Sequence, residues 1–146
     1  MRFLGRWDRP VPIRDPQREA HMLGHVVAEG GAISTSANDQ RYGSIGRRRY
    51  GHLLDPRTGW PAVGCATATV LAPTAALADA LSTAAFVLGP AQGQRLQQAF
   101  FGVEMLWGVA SDEGPMRLVT TPGLEGRFHM DGGTAQERCD GDVAVA

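Results

Sequence analysis

The spacing of apolar residues predicts short strands in the first part of the chain. The opening segment alternates loosely between apolar and polar positions and contains Pro10 and Pro12, which indicates an edge strand that runs into a turn. Residues 21–28 are largely apolar and fit either a short strand or a turn of helix. After two glycines, the segment AISTSAND predicts a strand that ends in a polar turn.

A hairpin is predicted in the segment RYGSIGRRRYGHLL. Its glycines place the turn at residues 43–46 and the second strand at residues 47–54. The next five residues, DPRTG, have the composition of a tight turn.

The second half of the chain predicts longer elements. Residues 66–72 are rich in β-branched side chains and indicate a buried strand. Thr74 is placed to cap a helix over residues 75–88, and Gly89-Pro90 closes that helix. Three further elements are predicted: a helix at 90–99, a strand at 103–110 and a last strand at 117–128 with a turn at 122–123. Because strands and helices do not alternate regularly, the order indicates an α+β fold.

Length and composition predict one domain. With 146 residues, of which 43% are hydrophobic and 20% charged, the chain can bury one core. We assign residues 1–130 to this domain and residues 131–146, which are small and polar, to a disordered tail. The formal net charge of −1 argues against a nucleic-acid partner. All 14 basic residues are arginine, which excludes a lysine nucleophile.

Cysteine usage and hydropathy exclude several other classes. Cys65 and Cys139 are far apart and lack the spacing of a zinc site, whereas a disulfide between them stays open. No apolar stretch reaches the roughly 18–20 residues that span a bilayer. The first residues show neither a signal-peptide core nor a lipobox, so the chain as written predicts a soluble, cytoplasmic protein without an export address.

The clearest chemical signal lies in the helix predicted over residues 75–88. Asp79 and Thr83 are four residues apart, so a helix places them on one face. Because the neighbouring positions are small or apolar, we expect a largely buried helix, in which a carboxylate needs a partner or a metal. Both side chains offer hard oxygen ligands for Mg²⁺, which commonly adds substrate phosphates to one or two carboxylates. The alternative is that Asp79 accepts a backbone amide and Thr83 bonds back into its own helix.

The second signal is the segment YGHLLDPRTGWP. His52, on the predicted strand, is suited to proton exchange near neutral pH. Arg57, in the same turn as Asp55 and Thr58, could hold a phosphate through two hydrogen bonds. The alternative is a packed histidine, an Asp-Pro turn and a solvated arginine.

Three other groups carry weaker signals. The arginines at 47–49 alternate faces on a strand, so solvation is the expected role and phosphate contact the alternative. The hydroxyl residues at 34–36 lack a visible His/Asp partner, and we infer no serine nucleophile from them. His21 and His25 have helical spacing without a third metal ligand.

Three segments together resemble the C-terminal half of the ApbE family of FAD:protein FMN transferases. They are ISTSAND, YGHLLDPRTGWP and TVLAPTAALADALSTAAFVLGP, in the family's order and spacing, within residues 7–123. H-x-x-D-P-x-T-G followed by A-D-A-x-x-T is a specific combination, whereas either block alone is not. The resemblance implies an ApbE-like mixed sheet with a buried helix that carries the metal site, and an incomplete copy of the fold.

The resemblance also implies an activity. Members bind FAD and Mg²⁺ and transfer FMN as a phosphodiester onto a threonine hydroxyl of an acceptor flavoprotein, releasing AMP. Asp79 and Thr83 match the metal-binding residues, and His52 matches the histidine that assists removal of the acceptor proton. We expect four further residues to contact the cofactor: Ser36, Asp55, Arg57 and Thr58. The family's usual location implies the cell envelope or periplasm.

Two departures from the family leave alternatives open. Residues 35–39 read TSAND where many members read TSGD, which would reshape a turn near the flavin site. Members are also much longer, so an N-terminal half is expected as a missing partner. The same residues would serve a magnesium-dependent FAD pyrophosphatase, with water in place of the acceptor hydroxyl. A third reading is a non-enzymatic remnant or flavin-binding module, which would expose core residues such as Val70, Phe86 and Leu88.

Overall fold

The structure is a computed structural model that describes residues 2–3, 10–38, 42–45, 48–63, 65–111, 116–131 and 136–138. Its strands are β1 (Arg2–Phe3), β2 (Val11–Arg14), β3 (Met22–Val26), β4 (Gly31–Ala37), β5 (Tyr42–Ile45), β6 (Arg48–Gly51), β7 (Thr67–Ala72), β8 (Glu104–Val109), β9 (Arg117–Thr120), β10 (Phe128–Met130) and β11 (Gln136–Arg138). Helix α1 spans Ala75–Gln98, and a short 3₁₀ helix spans Pro122–Leu124. Within the described ranges, no helix is both long and apolar enough to cross a bilayer.

The strands form a large central sheet, a small sheet and a hairpin. The central sheet has the order β1-β4-β7-β8-β9-β11, in which only β11 and β9 are parallel neighbours. The small sheet has the antiparallel order β10-β3-β2, and β5 pairs with β6. The α+β class predicted from the sequence is confirmed.

Strand β7 is buried on both faces because a layer covers each side of the central sheet. Its residues Ala68, Val70 and Ala72 belong to the core beneath helix α1, whereas Leu71 belongs to the core beneath the small sheet. Successive strand residues point to opposite faces, so one strand contributes to both cores. The continuous run of buried residues that predicted this strand follows from its central position.

Helix α1 begins and changes direction where the sequence predicts. Thr74 caps it, since its Oγ1 accepts the Leu77 backbone amide at 3.3 Å. Gly89 interrupts the helical conformation with φ 68° and ψ 178° just before Pro90, so two helical segments meet there. Glycine tolerates this positive φ, and Pro90 cannot donate a backbone hydrogen bond into the preceding turn. The two predicted helices are confirmed as the two segments of α1.

The expectation of a largely buried helix is wrong for one face of α1. The buried face carries Ala78, Leu81, Ala85 and Phe86, whereas Asp79 and Thr83 lie on the exposed face. Small residues do not by themselves indicate a buried helix face. Alanine is also common at exposed helix positions because of its high helix propensity.

The hairpin is shifted from its predicted register. Ile45 pairs with Arg48, so the connection lies at residues 46 and 47, outside the described residues. Strand β6 ends at Gly51, which places His52 directly after the strand and not on it. The two glycines of GSIG predicted the turn too early. The side chains of the arginine triplet 47–49 lie outside the described residues.

The predicted last strand, 117–128, is two strands in different sheets. Strand β9 pairs with β8, the 3₁₀ helix follows at Pro122, and β10 then pairs with β3 in the small sheet. Proline lacks the amide that would continue the ladder, so the strand stops before it. The expected disordered tail is corrected in part, because β11 pairs with β9, and residues 139–146 lie outside the described residues.

The core is closed over the residues that a remnant would expose. Val70 and Phe86 are fully buried, and Leu88 is half-buried. Cys65 is a free, buried thiol that donates to the Phe86 carbonyl oxygen at 3.3 Å. Burial raises the pKa of Cys65 to about 12, so it stays a neutral thiol at physiological pH. Cys139, its possible disulfide partner in the sequence, lies outside the described residues.

Substitution of Gly93 would test how tightly α1 packs on the central sheet. A Cβ at this position would approach Cζ2 of the fully buried Trp107 to 2.5 Å. Gly→Ala normally stabilises a helix by about 0.5–1 kcal/mol, so steric overlap must reverse the sign. We expect Gly93→Ala to lower the free energy of unfolding by about 1–3 kcal/mol, measured by urea denaturation. Ala91→Ser, on the exposed face, is the control, and wild-type stability in Gly93→Ala would contradict the packing described.

Candidate functional site

A cavity of ≈ 540 Å³ opens around the end of strand β4. Its lining combines residues from both layers that flank the central sheet with residues that follow the hairpin: Pro12, Ile13, Arg14, Pro16, Thr35, Ser36, Ala37, His52, Leu53, Thr67, Asp79 and Thr83. Four predicted site residues therefore meet in one cavity, namely Ser36, His52, Asp79 and Thr83. They come from three separate segments of the chain.

The side of the cavity between β4 and α1 is built from hydroxyl groups around Asp79. Ser34 and Ser36 point toward the helix because they are two residues apart on β4. Ser34 Oγ donates to Asp79 Oδ1 at 3.4 Å, and Ser36 Oγ lies 3.3 Å from Thr83 Oγ1. Each predicted metal ligand on α1 therefore has a serine of β4 beside it.

Ser82 connects these contacts from beneath. It is fully buried, and its Oγ donates to the Asp79 backbone carbonyl oxygen at 2.9 Å. Ser82 Oγ also lies 2.9 Å from Ser36 Oγ and 3.3 Å from Ser34 Oγ. If Ser36 donates to Ser82, then Ser36 can accept the Thr83 proton, which leaves the lone pairs of Thr83 Oγ1 directed elsewhere. The chain thus holds Asp79 and Thr83 through a network whose centre is buried.

The donor groups fit a hard divalent cation. Asp79 is exposed to the cavity, and Thr83 lies one helical turn further along the same face. Across the described ranges, no group of three or more His, Cys, Asp or Glu side chains is arranged around a metal position. One carboxylate with neighbouring hydroxyls is a poor site for zinc but suits Mg²⁺, which takes its remaining oxygens from water or phosphate.

His52 reaches the cavity from the segment that follows β6. Its side chain is exposed, and Leu53 beside it packs against the core beneath α1. Backbone pairing between Leu54 and Pro61, together with the Ala62 amide bonded to the Leu53 carbonyl oxygen at 2.9 Å, fixes this segment. The two histidines noted for their helical spacing lie elsewhere. His21 precedes β3, and His25 lies on β3, stacked on His129 with ring centroids 5.1 Å apart. Neither lines the cavity.

The other three residues expected to contact the cofactor form a turn that does not line the cavity. Asp55 accepts the Arg57 backbone amide and two guanidinium nitrogens, with Nη2 at 2.7 Å from Oδ2. Arg57 Nη1 donates to Gln92 Oε1 at 3.1 Å, which links the turn to α1. Thr58 Oγ1 accepts the Trp60 amide within the same turn. The described contacts of these residues lie within the turn and with Gln92 of α1, and their predicted contact with the cofactor stays a prediction.

The ion pair in this turn gives a prediction for the pKa of Asp55. The hydrogen bonds and charge of Arg57 lower the pKa of this carboxyl below its usual value of 3.8. A lowered pKa stabilises the fold above pH 3.8, and the stabilisation is lost as pH falls through the folded-state pKa. We expect Arg57→Gln to return the pKa toward 3.8, measured by NMR titration of the Asp55 carboxyl carbon.

Gln92→Ala is the control for this titration. It removes the contact between Arg57 and α1 but keeps the ion pair, so the pKa of Asp55 should stay low. An unchanged pKa in Arg57→Gln would show that Arg57 is not its cause.

Sequence reasoning missed three residues of the site: Arg14, Ser34 and Ser82. Both serines lie in segments that carry the family resemblance, and the signal for them is spacing, two residues before Ser36 and three after Asp79. Arg14 directly precedes the Asp15-Pro16 turn, but only the packing of the small sheet brings it to the cavity. In contrast, Arg57, which was the predicted phosphate ligand, does not line the cavity.

Comparison with known proteins identifies the family. The model of the ApbE family matches residues 1–107. The chain belongs to the ApbE family. Among curated relatives, the FAD:protein FMN transferase of Rhodobacter capsulatus is 35% identical over 125 residues, which cover 84% of this chain and 23% of that protein. The FAD:protein FMN transferase of Escherichia coli (strain K12) is 36% identical over 88 residues, 59% of this chain and 25% of that protein.

Solved structures of the family share the fold. The ApbE protein of Thermotoga maritima superposes with a TM-score of 0.63 at 30% identity, over 90% of this chain and 40% of that protein. The flavin transferase ApbE of Vibrio cholerae gives a TM-score of 0.66 at 23% identity, over 86% of this chain and 41% of that protein. The chain therefore spans about a quarter of the curated relatives, at 23% and 25%, and about 40% of the solved structures.

Proposed function

We propose that this chain carries the catalytic and metal-binding side of an FMN transferase site that uses FAD. The observation that supports the proposal is the shared cavity, in which His52, Asp79 and Thr83 meet although they come from separate elements. The relatives that match this chain are named FAD:protein FMN transferases. Because the chain spans only part of these relatives, the activity of the whole protein is extended to it here as a proposal.

The proposed reaction replaces a phosphoanhydride bond with a phosphate ester bond. The hydroxyl oxygen of a threonine in the acceptor protein attacks the phosphorus on the FMN side of the FAD pyrophosphate. A phosphodiester bond forms between FMN and the threonine, the bridging P–O bond breaks, and AMP leaves with its electron pair. The reaction needs no oxidant or reductant, so the protein must position the two reactants and handle one proton.

His52 is the proposed acceptor of that proton. An alcohol is a weak nucleophile until a neighbouring base removes its proton. Histidine is suited to this role near neutral pH, and His52 is the histidine among the described cavity-lining residues. The residues that follow it, Leu53 and Leu54, are fixed by backbone pairing with Ala62 and Pro61.

Asp79 and Thr83 are the proposed protein ligands of Mg²⁺. A bound Mg²⁺ would supply positive charge to the pyrophosphate oxygens. Ser34 orients the Asp79 carboxylate by donating to Oδ1, and Ser36 accepts or donates at Thr83 Oγ1. Ser36 also lines the cavity, which supports its proposed contact with the cofactor.

Asp79→Asn tests the metal-binding role. The substitution keeps the size of the side chain but removes the one carboxylate among the described cavity-lining residues. We expect Mg²⁺-dependent turnover of FAD to fall below detection, measured as AMP release and as FMN attached to an acceptor protein. Glu19→Gln, exposed and away from the cavity, removes the same charge and should keep wild-type turnover.

The products of the same assay also separate two reactions. AMP together with free FMN would indicate a pyrophosphatase, whereas AMP together with labelled acceptor would indicate a transferase. Unchanged turnover in Asp79→Asn would refute the metal-binding role.

His52→Ala tests the proton-transfer role. Because a general base contributes about 10²–10⁴-fold to a rate, we expect transfer to slow by that factor. FAD affinity, followed by flavin fluorescence, should change little, since the base acts on the acceptor hydroxyl. His21→Ala is the matched control because His21 does not line the cavity. Loss of FAD affinity in His52→Ala would make His52 a binding residue instead of a base.

A further inference from the structure

Arg14 places a cation in the cavity that the proposed mechanism does not use. Among the described residues that line the cavity, it is the one with a permanently charged basic side chain. All 14 basic residues of the chain are arginine, so lysine cannot supply such a charge. Arg57, the arginine of the family motif, does not line this cavity.

An irregularity in the small sheet directs Arg14 toward the cavity. Ile13 pairs with Gly24 but Arg14 pairs with Met22, so the register of β2 against β3 shifts between these two residues. Such bulges change the direction of the side chain that follows them. Ile13 remains 2% exposed in the core, while Arg14 is exposed at the cavity. Arg14 therefore directly follows a strand residue, Ile13, that is buried in the core.

Positive charge beyond one Mg²⁺ would favour an anionic ligand in this cavity. Asp79, which lines the cavity, and a pyrophosphate together carry three negative charges, of which one Mg²⁺ balances two. A guanidinium group binds phosphate oxygens through two parallel hydrogen bonds, and its charge does not depend on pH in the physiological range. Arg14 also comes from the small-sheet layer, whereas Asp79 comes from α1. A ligand could therefore contact both residues from opposite sides of β4.

We propose that Arg14 binds a phosphate group of the FAD pyrophosphate and makes the cavity selective for phosphorylated flavins. This inference rests on the proposed function for the identity of the ligand, but the anion site itself depends only on Arg14 and the cavity. It follows that the affinity for flavins that carry phosphate should depend on Arg14, whereas the affinity for a flavin without phosphate should not.

The experiment compares wild type and Arg14→Gln by flavin fluorescence titration in the presence of Mg²⁺. Loss of a charge-assisted contact is expected to weaken FAD binding about tenfold to a hundredfold. FMN binding should weaken as well, whereas riboflavin, which has no phosphate, should bind both proteins within about twofold. Arg14→Lys keeps the charge but not the paired hydrogen bonds, so it should restore part of the affinity.

Arg95→Gln is the matched control for charge. Arg95 is exposed in the last turn of α1 and does not line the cavity, so this variant should bind FAD like wild type. Urea denaturation of each variant confirms that the proteins compared are folded. Equal FAD affinity in wild type and Arg14→Gln, or an equal loss for FAD and riboflavin, would overturn the role of Arg14 at phosphate while leaving the proposed function intact.

Inorganic pyrophosphate separates the anion site from the flavin function. Its binding with Mg²⁺ can be followed by ³¹P NMR, and we expect binding to wild type and a loss of about tenfold or more in Arg14→Gln. Pyrophosphate binding through Arg14 without any FAD binding would support the anion site and refute the flavin function. If the wild-type protein binds neither pyrophosphate nor FAD, both proposals are overturned.

Discussion

The two-sided burial of strand β7 is the constraint on which the rest of the fold depends. A strand that is apolar on both faces must be covered on both sides, and here helix α1 covers one face while the small sheet covers the other. Strand β4 pairs with β7 over residues 32–37 and so lies between the same two layers. The cavity opens around the end of β4, where residues of both layers line it.

Polar chemistry at this edge follows from the change in environment along β4. Ala32, near the start of β4, lies in the core beneath α1, whereas Ser34 and Ser36 on the same face meet the polar side chains of α1. Buried hydroxyls need partners, and the serines satisfy one another and the Asp79 backbone. The network therefore stabilises the packing of helix on strand and orients the exposed Asp79 and Thr83 with the same contacts.

The layered arrangement brings residues of opposite charge to one cavity from different elements. Asp79 belongs to the helical layer and Arg14 to the small-sheet layer, with the end of β4 between their parent elements. His52 enters from a third direction, after the hairpin. A diphosphate with a reactive hydroxyl nearby requires three such functions, namely cation binding, anion binding and proton transfer. Their separation over three elements allows each to be held by a different part of the core.

Local sequence signals determined the cap at Thr74, the break at Gly89-Pro90 and the buried strand β7. They also placed Asp79 and Thr83 on one helix face. All of these features depend on residues close in the chain. The family blocks likewise brought His52 to attention. Only the tertiary structure decided that the helix face bearing Asp79 is exposed, that Ser34 bonds to Asp79, and that Arg14 rather than Arg57 lines the cavity. Those outcomes depend on which layer covers which face and on one register shift in β2, and contacts between residues so far apart in the chain leave no local pattern.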